Sequence, residues 1–190
     1  MFKYLLLTTG LLMTFFTTAQ VRNETAYGFR LGANYSDLDT DLLDDPDNRI
    51  GASVYFFAEI PLGKTFSLIP EIGFDALGVK EDRLILENGN PVDLKVNWAS
   101  GGLLGQINIT DFFYVNAGAK YALNVSENDD GDYYDSDIWA TGGIGFRFLD
   151  GFSIDARYGY GLTNVFEGSL ENQGFNAENR FYQIGISYRL

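Results

Sequence analysis

Apolar and polar residues alternate with period two along most of this chain. Phe152, Ile154, Ala156, Tyr158, Tyr160 and Leu162 share one parity, and Ser153, Asp155, Arg157, Gly159 and Gly161 share the other. Successive side chains of a strand point to opposite faces, so this stretch reads as a strand with one greasy face. The same reading predicts eight strands, at about 27–36, 50–62, 66–79, 92–108, 112–125, 138–148, 152–163 and 179–190. In the fifth, Phe113, Val115, Ala117, Ala119, Tyr121 and Leu123 oppose Tyr114, Asn116, Lys120 and Asn124. In the sixth, Ile138, Ala140, Ile144, Phe146 and Phe148 oppose Trp139, Thr141 and Arg147. The second sets Val54, Phe56, Ala58 and Ile60 against Ser53 and Glu59, with Tyr55 and Phe57 blurring the division. The last ends the sequence on a greasy parity of Tyr182, Ile184, Ile186, Tyr188 and Leu190. No segment after the first twenty residues shows helical periodicity.

The predicted connections come in two kinds, in strict alternation. Gly63-Lys64-Thr65, Ile109-Thr110-Asp111 and Leu149-Asp150-Gly151 are short, whereas 37–49, 80–91, 126–137 and 164–178 are long. Short turns at one end and long loops at the other, on an even number of antiparallel strands, are the plan of a bacterial outer-membrane barrel. Closure explains how a greasy terminal strand is tolerated, because a barrel has no free sheet edge.

The two faces then need two environments. An eight-stranded barrel has room inside only for side chains or one small ligand. The apolar set is bulky, and aromatic at the strand ends, which suits a lipid-facing exterior. Tyr27, Phe66, Phe113, Phe148, Phe152 and Tyr188 fall toward the turn end, and Tyr35, Trp98, Tyr121, Tyr160 and Tyr182 toward the loop end, as two aromatic girdles. The other set is small, glycine-rich and charged, which suits a narrow, filled lumen. The predicted fold is all-β, an eight-stranded antiparallel up-and-down transmembrane barrel.

The N-terminus supports export. Lys3 precedes an apolar run from Tyr4 to Phe16, then Thr17-Thr18-Ala19. This is the pattern of a signal peptide, too short to span a bilayer. Residues 1–19 are expected to be removed and 20–190 to form the barrel domain. The net charge of −13 disfavours nucleic acid and anionic membrane surfaces as partners. With no cysteine there is no disulfide framework or thiol chemistry.

Three stretches carry a family resemblance: LGANYSDL at 31–38, AEIPLGKTFSLIPEIGF at 58–74, and GFSIDARYGYGLTN at 151–164. With the closing strand they resemble the PorT-like outer-membrane β-barrel proteins of Bacteroidota. The resemblance implies a barrel in the outer membrane and carries no chemistry. It also implies that Pro70-Glu71 marks a bulge that aims Glu71 inward. The run from Gln183 to Leu190 resembles the C-terminal signal read by the outer-membrane insertion machinery, so that machinery and outer-membrane lipid are the expected partners.

No catalytic constellation is visible, and with no histidine the Ser–His type of site is excluded. No cofactor is implied. Alternation puts Arg30, Glu59, Glu71, Asp75, Lys120, Arg147, Asp155 and Arg157, and also Lys95, on the inner face. Charges so confined need partners, and an ion-pair network explains them better than a carboxylate dyad. The loops are acidic. Asp37, Asp39, Asp41, Asp44, Asp45 and Asp47 fall in the first, and Glu127, Asp129, Asp130, Asp132, Asp135 and Asp137 in the third. The third loosely echoes a calcium loop, but Ser126 at the first ligand position and Asp137 at the last leave a solvated acidic loop as the better reading. Three functions fit: a structural or interaction-bearing barrel with a plugged lumen, a narrow passive channel, or a secreted soluble ligand-binding barrel. The last requires the apolar face to point inward.

Overall fold

The computed structural model describes residues 24–40, 47–85, 91–126, 135–166 and 168–190. The predicted signal segment, most of the third loop and Asp41, Asp44 and Asp45 lie outside them. Eight strands, β1 (Ala26–Thr40), β2 (Arg49–Pro61), β3 (Phe66–Ile85), β4 (Pro91–Asn108), β5 (Phe113–Asn124), β6 (Ser136–Leu149), β7 (Phe152–Gly161) and β8 (Ala177–Arg189), form one closed antiparallel barrel in sequence order. β1 closes on β8 over thirteen paired positions, from Gly28↔Arg189 to Thr40↔Ala177.

The apolar parity faces outward. Leu31 is 59% exposed, Ile72 64%, Ile144 53% and Ile184 62%, while their chain neighbours of the other parity turn in. Buried in a soluble core these side chains would be worth about 1.5–3 kcal/mol each, so such an exterior is stable only against hydrocarbon. Rings gather at the turn end, where Phe152 stacks beside Tyr188 at 4.6 Å and Tyr27 on Phe56 at 6.1 Å. At the loop end Tyr158 and Tyr182 are 5.0 Å apart, with Tyr35 and Tyr121 exposed nearby in the same outward parity.

The interior is made by size complementarity. Large lumen side chains lie over glycines on the neighbouring strand. A Cβ on Gly185 would come within 2.4 Å of the Arg30 guanidinium carbon, and one on Gly159 within 2.1 Å of the Phe181 ring. The inner glycines are seats for the residues that fill the barrel.

Four expectations need correction. Trp98 belongs to no girdle: it points inward and is fully buried, because it carries the parity of Val96 and Ser100. Lys95 has the opposite parity to Val96 and Trp98, so it is on the outer face. No bulge occurs at Pro70. The β2–β3 pairing lapses at Pro70 and Ile69 but resumes in the same register, with Phe57 opposite Glu71 and Ile60 opposite Leu68, and plain alternation turns Glu71 in. The shift comes instead between Gly78 and Arg83, with Gly78 at φ 102°, a region that disfavours any residue with a Cβ. Beyond it the β3–β4 hairpin stays paired, Arg83 with Asp93 and Ile85 with Pro91, across part of what the sequence suggested was loop. The last loop contains a short helix, α1 (Gly168–Asn172).

Candidate functional site: the filled lumen

Apart from Lys95, the expected inner charges point inward, and they form two groups. The first is at the turn end. Glu59 accepts from Arg147 Nη2 at 3.1 Å and from Arg189 Nη1 at 3.1 Å. Gln106 Nε2 donates to the same carboxylate at 3.3 Å, and Arg147 lies over the Tyr114 ring at 4.6 Å. These side chains line a cavity of about 180 Å³ that also touches Arg157 and Ser187. The side chains of Glu59, Arg147 and Arg189 stay 9–18% exposed, so solvent reaches this tier.

The second group crosses the middle of the barrel and is buried. Arg157 Nη1 on β7 donates to both oxygens of Glu71 on β3, at 3.0 and 2.9 Å. These two strands are four apart among eight, so this pair spans the full diameter. Lys120 Nζ is 2.6 Å from the same carboxylate. Asp155 takes Arg30 Nε at 2.9 Å and Nη2 at 2.7 Å, and Arg157 Nε is 3.1 Å away. Ser187 Oγ donates to it at 3.3 Å.

Asp75 departs from the expectation of an ion pair. Its donors are neutral: Tyr55 Oη, Gln183 Nε2 at 3.0 Å, Asn34 Nδ2 at 3.3 Å and Ser100 Oγ at 3.3 Å. Gln183 ties this cluster to the cations, because its Oε1 accepts from Arg30 Nη1 at 2.5 Å. Lys120 Nζ also sits 3.9 Å from the centre of the Tyr55 ring. The central charges balance, with Arg30, Lys120 and Arg157 against Glu71, Asp75 and Asp155, and each of the six is at most 7% exposed. A buried charge is tolerable only with such partners.

Sequence reasoning missed Tyr55, Asn34, Ser100, Gln183 and Arg189. Parity was a sufficient signal for four of them; for Tyr55 the aromatic pair with Phe57 hid it. Among the described residues no group of acidic, His or Cys side chains is arranged to hold a metal ion. Of the calcium-like run 126–137, residues 127–134 lie outside them, and Asp137 at its last ligand position is buried and accepts from Trp139, Thr163 and Asn179.

A closed eight-stranded barrel with an apolar exterior, aromatic rims and a charged, filled interior defines an integral outer-membrane β-barrel protein. The comparisons agree. The family described as the outer membrane protein beta-barrel domain matches residues 18–167, and the chain belongs to it. Its place is the outer membrane. No curated protein matches the chain by sequence. Among solved structures, the attachment invasion locus protein Ail of Yersinia pestis, in complex with the heparin analogue sucrose octasulfate, shares 18% identity at a TM-score of 0.53, covering 88% of this chain and 99% of that one. Neisserial surface protein A shares 10% identity at a TM-score of 0.55, with 88% and 99% covered. At such identities the likeness is one of fold. The outward apolar face and the family together exclude the secreted soluble barrel, whose apolar face would have to be inside.

Proposed function

We propose that this chain is a non-catalytic, non-conducting barrel of the outer membrane that holds its long loops outside the cell as an interaction surface. The observation that carries this reading is the Arg157–Glu71 pair across the diameter, with Lys120, Asp155 and Arg30 locked to it: the lumen is plugged by paired charge. A pore would need a continuous water column in its place. The mature domain is residues 20–190 after removal of 1–19, and the likeness to PorT-like proteins of Bacteroidota is kept as the finer family assignment. The strand from Gln183 to Leu190 is the element offered to the insertion machinery.

The loops set the kind of partner. Ail is seen with a polyanion. Here Asp37, Asp39, Asp135 and Glu178 border the loop end and the whole chain carries −13, which repels a polyanion and favours a basic surface. With the short turns in the periplasm, a protease added to intact cells should cut within 126–137, a run rich in Asp, Asn, Ser and Gly. The turn at Gly63-Lys64-Thr65 should survive until the cells are broken. Cleavage of that turn on intact cells would invert the orientation and end the proposal that the loops are displayed.

A further inference from the structure

Above the charged tier, toward the loop end, the lumen turns apolar. Leu38, Leu77, Val79, Val96, Trp98 and Trp139 face one another there, closed over by Phe181 from β8 and by Val165 and Phe166. Trp139 packs edge-on against Trp98 at 5.8 Å and against Phe181 at 5.2 Å.

Three observations set this tier apart from ordinary filling. Part of it is supplied by a loop. Val165 and Phe166, both fully buried, follow β7 and are held by the Val165 N–H bond to Ala177 O at 2.8 Å and by Asn164 Oδ1, which accepts from the backbone of Phe166 and Ala177. Such a segment can open at a fraction of the cost of unzipping a barrel strand. Next, the indole N–H of Trp98 is buried with no acceptor, whereas that of Trp139 donates to Asp137 at 2.6 Å. A buried donor without a partner is uncommon and destabilising, and asks for an explanation. Finally, the tier borders the charged group directly. Trp98 is the cross-strand partner of Asp75 and Trp139 that of Lys120, so a molecule entering from the loop end would meet that group at the depth of the tryptophans.

We infer that the loop-end half of the lumen is a binding site for a small, uncharged, aromatic or apolar molecule carrying a hydrogen-bond acceptor, and that Val165 and Phe166 fill this site in its absence. The acceptor would meet Trp98 Nε1. The molecule is uncharged because the two carboxylates that border the tier, Asp75 and Asp137, already hold neutral donors, Asp137 those of Trp139, Thr163 and Asn179, and an added charge in this apolar space would be strongly disfavoured. It is a site for binding and not a passage, which keeps it compatible with a sealed centre.

The two tryptophans are the only ones in the sequence and both lie in this tier, so tryptophan emission reports on the site alone. Heavy-atom quenching acts at contact range, and probe dissolved in the surrounding micelle is kept away by the barrel wall. The folded protein in detergent would be titrated with para-bromobenzyl alcohol and with para-bromotoluene, which lacks the acceptor. The expected result is saturable quenching, with the alcohol preferred. Phe166→Ala should tighten the alcohol about tenfold, since the site no longer has to be vacated. Trp98→Phe, read through Trp139, should erase the preference for the alcohol. Quenching that stays linear in probe concentration in both the parent and Phe166→Ala, or an affinity that Phe166→Ala leaves unchanged, would overturn the inference. If Phe166→Ala does not fold, Trp98→Phe decides: a lost preference supports the site, and a retained one sinks it.

Discussion

Glu71→Ala should destabilise the folded barrel by about 3–5 kcal/mol, the usual loss when one member of a buried charge pair is removed. Glu71 is the only carboxylate in direct contact with Lys120 among the described residues, and it takes two bonds from Arg157. Removing it leaves the Lys120 ammonium, 2% exposed, facing Tyr55 and a space where its counter-charge had been. Arg157 keeps Asp155 but then shares that single carboxylate with Arg30. Lys120 and Glu71 are 2% and 3% exposed, so little water is at hand to offset the loss at Lys120. The measurement is urea unfolding of the protein in lipid vesicles, followed by heat-modifiable mobility, with Glu59→Ala as the comparison. Glu59 sits in the wetter tier at the turn end, where water can replace it beside Arg147 and Arg189, so its loss should be clearly smaller. Equal losses for the two variants would mean that water reaches the centre as freely as the mouth.

Ala156→Arg has the second largest expected effect, about 2–4 kcal/mol, the penalty for a cation on the lipid face at the bilayer midplane. Ala156 is central in β7 and points outward, flanked on that strand by Ile154 and Tyr158 and across the sheet by Ile144 and Ile184. A guanidinium there has hydrocarbon on every side and no carboxylate within the neighbouring outward positions. The same denaturation experiment reads it. A variant that inserts and unfolds like the parent would contradict the assignment of the outer face to lipid, whatever the state of the lumen.

Much of this architecture is legible in the sequence because lipid and lumen impose opposite chemistry on alternate residues. All eight strands and both faces of β5, β6 and β7 follow from that alone. Legibility fails where the lumen itself turns apolar. An inner face expected to be polar sends Trp98 to the outer rim, yet the loop-end tier is lined with Leu77, Val96 and Trp139. Tyr55 and Phe57 were ambiguous for the same reason. What admits them is a glycine opposite: a Cβ on Gly73 would meet the Tyr55 ring at 2.2 Å, and one on Gly28 the Phe57 ring at 2.5 Å. Val165 and Phe166 could not have been found by periodicity, since a loop that folds into a barrel has none.

The members of the charged site were legible, but their partners were not. Parity places Glu71 and Arg157 inside; only the diameter of the closed barrel and the register of four intervening pairings bring them together. Alternation likewise cannot show that Asp75 is met by hydroxyl and amide donors. That depends on Asn34, Tyr55, Ser100 and Gln183 from four other strands arriving at one height.

The central claim is that paired charge closes the lumen, and conductance tests it most directly. The purified parent protein, inserted into planar lipid bilayers under an applied voltage, should pass no steady current, because the Arg157–Glu71 bonds and their neighbours occupy the cross-section where water would have to run. A stable, reproducible open channel in the unaltered protein would contradict the account and make a narrow passive pore the better description.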